Sequence, residues 1–288
     1  MSAIALEAGA PARPRGIPGL RGTGLLGHAC AAVIVLALVV AIVGPAVAPH
    51  DPNFVQLKYS FVGPFGDHYL GFDGRGHDLL SRLLVGARSA MIGPVVVVAI
   101  AMTLGTLLAI ATAWRGGWFD TVVGGVLDVL FAFPGILIAI LAAAVFGPSL
   151  RSAALALAVA YTPYIARVLR GSALRERAQL YVAALEVQGL GAIAICLRHL
   201  APNILALIVA QGTILFGYAM VDLAAISYLG LGIQPPAADW GVMVAENQQG
   251  IIQGYSIPSL AAGICIVVVV VAFNLLGERL YERGESRR

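Results

Sequence analysis

LEVQGLGAIAICLRHLAPN, residues 185–203, is apolar enough to pass for a membrane span, yet it carries Glu186, Gln188, Arg198 and His199 and is interrupted by Gly189 and Gly191. Whether it crosses the bilayer or lies beside it sets the number of spans and the side on which the C-terminus falls. The rest of the chain is plainly apolar. Of its 288 residues 59% are hydrophobic and only 11% charged, with a mean hydropathy of +0.89, against roughly 25% charge in soluble domains. This composition defines an all-α polytopic membrane protein. The net charge of +3 is small and its basic residues are scattered, which argues against a nucleic-acid surface.

Apolar runs of the roughly 20 residues needed to cross a bilayer fall at 28–48, 90–113, 121–146, 152–170, 203–226 and 257–277. The first run exceeds the roughly 7–15 residues of a signal-peptide core, and Pro49 stands where cleavage would follow. It reads as an uncleaved first helix. With the N-terminus inside, six spans leave only Lys58, Arg75, Arg82, Arg88 and Arg151 of the 18 basic residues outside, in accord with the positive-inside tendency. A seventh span at 185–200 would send ERLYERGESRR outside. It would also put Glu186, Arg198 and His199 into lipid, at roughly 2.5–3.5 kcal/mol for each charged group.

Six spans divide the chain into a disordered cytoplasmic tail at 1–27, a first transmembrane helix at 28–48, an extracytoplasmic segment at 49–89, a five-helix core at 90–277 and a cytoplasmic tail at 278–288. Within the core, 171–202 becomes a cytoplasmic loop. Tyr181, Ala184 and Leu185 share one helical face and Ile193, Cys196, Leu197 and Leu200 another. Gly189 and Gly191 separate the two, and Pro202 is expected to end the second helix. Helix, turn, helix is the shape implied. Such an element can fill a groove on a partner, or pack against the ends of its own spans and the lipid surface.

The order YVAALEVQGLGAIAICLRHLAPN resembles the coupling loop of bacterial ABC-importer permeases, with Gly189 at the family glycine and Pro202 at the family proline. Ala183 stands where that family has a glutamate, Leu185 replaces its second alanine and Ala201 the leucine before proline, while Glu186 falls three places late. LGFDGRGHDLLSRLLVGARSA (70–90) is similar to the LGTDxxGRDxxSRxxxGARxS segment of dipeptide, oligopeptide and nickel importer permeases. ISYLGLGIQPPAADWG (226–241) is similar to their LSFLGLGxxPPxxxWG, and AFNLLGERL (272–280) to their FNLLGDxL.

The resemblance implies a C-type permease subunit with the six-helix type I importer fold. It would pair with a second homologous permease, two ATPase subunits and an extracytoplasmic substrate-binding protein to import short peptides. Nickel chelates, other solutes and proton-coupled transport remain alternatives. The ATPase contacts would come from Ala183, Ala184, Glu186, Gly189, Arg198, His199 and Pro202, and the binding-protein side from Asp73, Asp78, Arg82, Pro235, Pro236 and Trp240. Gln211, Asp222 and Asn274, polar residues within spans, are the candidates for the translocation path, with helix–helix hydrogen bonding the favoured reading of Gln211 and Asn274.

No cofactor is expected on this chain, ATP and magnesium belonging to the ATPase subunits: GFDGRGHD lacks the GxxxxGK[ST] pattern. His68, Asp73, His77 and Asp78 lack a recognised metal-ligand spacing and read as structural, with Asp78 and Arg82 forming an i,i+4 pair. His77 replaces a family arginine. Asp128 is expected to pack against a polar neighbour and Asp222 to face the outer mouth, while Pro134 is expected to loosen the third span. Cys30, Cys196 and Cys265 lack close pairing and read as packing residues.

Overall fold

Hydrocarbon offers no water to an unpaired backbone group, so a chain this apolar can enter a bilayer only with its hydrogen bonds closed within helices. The computed structural model describes residues 24–286, so the tail expected at 1–27 lies outside the described residues up to position 23. Its helices are α1 (Gly24–Val47), α2 (Leu79–Arg115), α3 (Gly117–Phe131), α4 (Gly135–Phe146), α5 (Leu150–Arg177), α6 (Leu180–Val187), α7 (Ala192–Ile195), α8 (Ala201–Asn203), α9 (Leu205–Tyr228), α10 (Trp240–Ile252) and α11 (Ile257–Ser286). Five of them, α1, α2, α5, α9 and α11, are long and apolar enough to cross a membrane. The pair α3 and α4, bent by 79°, makes a sixth crossing when counted as one span.

Several helices outrun the apolar runs, α11 reaching Ser286 and α5 Arg177, and two boundaries differ for a clear local reason. Pro134 does more than loosen the third span: at φ −56° and ψ 130° it is extended, and it separates α3 from α4. Its ring bars the helical hydrogen bond and disfavours helical geometry at Phe133. The helix α2 starts at Leu79, well before residue 90, because Asp78 caps it by accepting from the Ser81 amide at 2.8 Å. Its first turns carry Ser81 and Arg82, buried polar residues that an apolarity scan passes over. With 37 residues, α2 is about 55 Å long at 1.5 Å per residue, well beyond a hydrocarbon core of roughly 30 Å.

Small residues set the helix crossings. A Cβ on Gly105 of α2 would lie 2.6 Å from Ile165 of α5, so the two helices meet backbone to side chain there. The α9–α11 crossing is reciprocal: Gly217 faces Asn274 and Gly277 faces Ile214, each at 2.6 Å from an added Cβ. Close approach of this kind supplies the dispersion that holds helices together where lipid removes the hydrophobic drive.

At the end where α2 begins, residues 49–78 fold over α10 without a sheet, through two isolated antiparallel bridges, Phe65 to His68 and Phe72 to Asp78. A network of charges fastens the cover. The Arg82 guanidinium is fully buried; it donates to Glu246 of α10 at 2.8 Å and lies 3.7 Å from Asp73. Arg75 donates to the other Glu246 oxygen at 2.7 Å. Asp73 accepts from the Arg75 and His77 amides, both at 2.9 Å, and lies 2.8 Å from the His77 ring. Burial pushes its carboxyl up, but the His77 contacts and the Arg82 charge outweigh that and hold it below the ordinary carboxylate range. Arg82 therefore does not pair with Asp78: only the helical bond from the Arg82 amide to the Asp78 carbonyl, 3.1 Å, joins them.

Glu246→Ala leaves the Arg82 charge buried beside Asp73 alone and is expected to cost about 3–5 kcal/mol. Arg82→Met with Glu246→Leu should cost less than the sum of the single losses. Urea unfolding of the detergent-solubilised protein measures both; additive losses would show that the two side chains do not act as a pair.

Candidate functional site

At the opposite end of α2, the segment 178–204 forms a hairpin of short helices. Gly189 sits at φ +81° and closes α6 with a Schellman motif, in which the Gly189 amide donates to Glu186 at 2.9 Å and the Leu190 amide to Leu185 at 3.1 Å. An added Cβ would meet nothing within 4 Å, so positive φ, and not crowding, is what calls for glycine here. Gly191 is ordinary extended backbone at φ −68°.

The second arm ends one residue past Pro202, at Asn203, and Ile204 leaves helical geometry before α9. It passes from α7 through a π turn at Cys196–Leu200 into α8, where Pro202 occupies the first turn. The wider turn, with the Ala201 amide donating to the Cys196 carbonyl, makes room for a residue with no amide hydrogen. The arms are joined at their base: Glu176 accepts from the Tyr181 hydroxyl and from the Asn203 amide, each at 2.7 Å. Arg177 reaches the Ala113 carbonyl at 2.7 Å and lies over the Trp114 ring, tying the loop to the end of α2.

Burial splits the loop into two surfaces. Val182, Ile195, Leu200 and Ile204 are buried, the last two packed with Ile110 and Ala113 of α2 and Ala173 of α5. Leu180, Val187, Ile193 and Leu197 are exposed by 88%, 90%, 76% and 61%. The face expected from Ile193, Cys196, Leu197 and Leu200 is thus divided: Leu200 turns inward, Cys196 is half-buried, and the other two point out. One surface of the apolar loop packs on the bundle and the other is left open. Ala183, Ala184, Glu186, Gly189 and Arg198 lie exposed, while His199 and Pro202 are half-buried.

The span residues separate. Asp222 of α9 accepts from Tyr161 of α5 at 2.7 Å and lines a cavity of about 420 Å³ with Phe133, Pro134, Tyr164 and Tyr218. It faces the helix break as well as its neighbour. Gln211 lies below, near the Tyr164 hydroxyl at 3.4 Å. Asn274 is on another side of α9, packed against Gly217 at the α11 crossing, where helix packing accounts for it. Asp128 pairs with Arg167 of α5 in an exposed contact, and Asp120 with Arg170.

On the far face Asp73, Asp78, Arg82 and Trp240 are buried and act as scaffold. Trp240 donates to the Leu83 carbonyl at 3.0 Å. Pro235 and Pro236 are exposed. Asp239 caps α10, accepting from the Gly241 amide at 2.9 Å, and burial pushes its carboxyl up. Three participants escaped the sequence reading: Glu246 and Glu176, which sit in polar stretches without a motif, and His50, which lies beside His68 and Asp78.

A helical membrane bundle with one braced, half-exposed apolar loop and an aromatic cavity at a helix break is the architecture of a translocation subunit. Residues 101–287 match the family described as the binding-protein-dependent transport system inner membrane component. A dipeptide transport system permease protein of Alkalihalophilus pseudofirmus is 33% identical over 86% of this chain and 81% of its own length. A glutathione transport system permease protein of Escherichia coli O6:K15:H31 is 36% identical over 86% and 82%. The chain belongs to the binding-protein-dependent permease family. It is the multi-pass inner-membrane permease of an ABC importer, not an enzyme, and ATP is bound by the system's ATPase subunits. Proton-coupled transport is thereby set aside.

Gly189→Ala should strain a left-handed position by about 1–2 kcal/mol, whereas Gly191→Ala should be neutral. Hydrogen–deuterium exchange over 180–203 is expected to quicken in the first variant only; equal exchange would show that the Schellman turn does not hold the hairpin.

Proposed function

We propose that this permease carries short peptides, handed over by an extracytoplasmic binding protein, along a path enclosed with a second homologous permease, and that residues 180–203 couple it to two ATPase subunits in the cytoplasm. The observation that carries the reading is the divided loop. Leu180, Val187, Ile193 and Leu197 remain exposed on an element whose inner surface and base are already anchored, as a rigid docking knob requires. Ala183, Ala184, Glu186, Gly189 and Arg198 lie around that surface, with His199 and Pro202 at its root.

The relatives that handle a dipeptide and glutathione favour short peptides over nickel chelates as cargo. Asp222 and, through Tyr164, Gln211 lie on the cavity side and belong to the path; Asn274 belongs to the α9–α11 crossing. Pro235 and Pro236 offer the binding protein an exposed edge beside Trp240, which is anchored on the Leu83 carbonyl, and Asp73, Asp78 and Arg82 belong to the scaffold of the same face. The arginine asymmetry supports cytoplasmic termini, which makes the 49–78 cover extracytoplasmic.

Ile193→Asp and Leu197→Asp should leave expression and melting temperature unchanged while cutting ATP-driven uptake at least about tenfold, with loss of ATPase co-purification. Normal uptake in the double variant would overturn the coupling assignment. In a cysteine-free background, Ala192→Cys should react only with reagent admitted to the cytoplasm and Pro64→Cys only from outside; labelling of Ala192→Cys from outside would refute the orientation.

A further inference from the structure

Outside the loop and the cavity, one cluster of ionisable side chains gathers at the cap of α2. His50 follows α1 by three positions, His68 lies in the cover, and Asp78 caps α2; one donor atom from each lies within 4.8 Å of the others. The Asp78 carboxylate is divided. Its Oδ2 is taken by the Ser81 amide at 2.8 Å, so Oδ1 faces the two imidazoles, 2.8 Å from His68 Nδ1 and 3.7 Å from His50 Nδ1. The rings stack at 4.1 Å with 24° between their planes. His50 Nδ1 is buried and has no hydrogen-bond partner.

We propose that His50, His68 and Asp78 form a binding site for a borderline divalent cation of the zinc type. On a tetrahedral ion with bonds of about 2.0–2.2 Å, donor atoms lie about 3.3 Å apart. The His50 to Asp78 separation is slightly wider than that and the His68 to Asp78 separation slightly narrower, and rotation of the two stacked rings out of their near-parallel arrangement would turn both nitrogens toward the ion. Two nitrogens and one carboxylate oxygen select zinc-like ions over magnesium and calcium, which take oxygen sets. The ion satisfies the His50 nitrogen that the protein leaves unpartnered. Water completes the shell, and Asp67, whose exposed carboxylate lies 3.6 Å from the other His50 nitrogen, stands on the outer side of that ring.

The supporting contacts are those a built metal site needs. The Ser81 amide orients the Asp78 carboxylate, and the His50 amide donates to the Ser81 hydroxyl at 3.0 Å, so one residue positions two ligands. His50 and His68 retain 27% and 14% side-chain exposure, which leaves an entry path. Bound there, the ion joins the exit of α1, the cover and the start of α2. It clamps the face opposite the coupling loop.

The test is a zinc titration of the purified transporter complex carrying no polyhistidine tag, by equilibrium dialysis at pH 7.5 and by thermal melting. One saturable zinc site per copy of this chain is expected, with a melting temperature raised by zinc and not by magnesium. His50→Ala, His50→Gln and His68→Ala should each weaken binding at least about tenfold and remove the thermal shift, whereas His199→Ala should change neither. Melting in EDTA checks that the variants are folded. The absence of saturable zinc binding, or an unchanged stoichiometry in folded His50→Ala with His68→Ala, overturns the proposal.

Discussion

A guanidinium with no exposure to solvent must find charge and hydrogen bonds inside the protein, and Arg82 finds them on Glu246 and beside Asp73. Removing a charge from water costs several kcal/mol before pairing repays it, so this contact admits few arrangements. It brings three separate pieces of chain to one place: the start of α2, the cover over residues 49–78, and α10. Asp73 holds its own loop through the Arg75 and His77 amides. Gly74 then donates to Asn247 at 2.8 Å, and the aromatic ring of Phe61 stacks on Tyr255. The result is a fixed plate on one face of the bundle.

From that plate α2 runs unbroken to Arg115 on the other face, where Ile110 and Ala113 receive Leu200 and Ile204 from the 178–204 hairpin. One helix therefore touches both the surface assigned to the binding protein and the surface assigned to the ATPases. Carrying a two-state transporter from 1:99 to 99:1 takes about 5.5 kcal/mol of differential stabilisation. A loop that bent under load would dissipate it. The Glu176, Tyr181 and Asn203 contacts close the base of the hairpin, Arg177 ties it to α2, and the Schellman turn at Gly189 closes its tip. The break at Pro134 is the contrasting feature, for there a spanning segment is interrupted beside a cavity lined by tyrosines and Asp222.

Much of this was legible from residues alone, and the reasons are local. Spans are long apolar runs because lipid contact is a property of each residue in turn. Gly189 is marked by its place between two helical faces. The family phrases at 70–90, 226–241 and 272–280 are continuous in sequence. What escaped was what depends on neighbours far along the chain. Arg82 has Asp78 four residues back and Glu246 164 residues ahead, and spacing favours the former. Asp78, though, is already committed to capping α2, and the fold brings the latter within reach. The face drawn through Ile193, Cys196, Leu197 and Leu200 assumed an unbroken 3.6-residue period, which the π turn before Pro202 interrupts. His50 carries no signal at all until α1, the cover and α2 meet.

Sequence by itself determined the membrane class, the apolar helices able to cross, the site of the helix–turn–helix loop and the permease family, because apolarity, helical period and contiguous motifs are written residue by residue. Tertiary structure decided which side of the loop stays open, which carboxylate takes the buried arginine, how sharply the third span breaks, and which histidines meet at the cap of α2. Those outcomes rest on distances between segments far apart in the chain, and no local pattern encodes a distance that only packing creates.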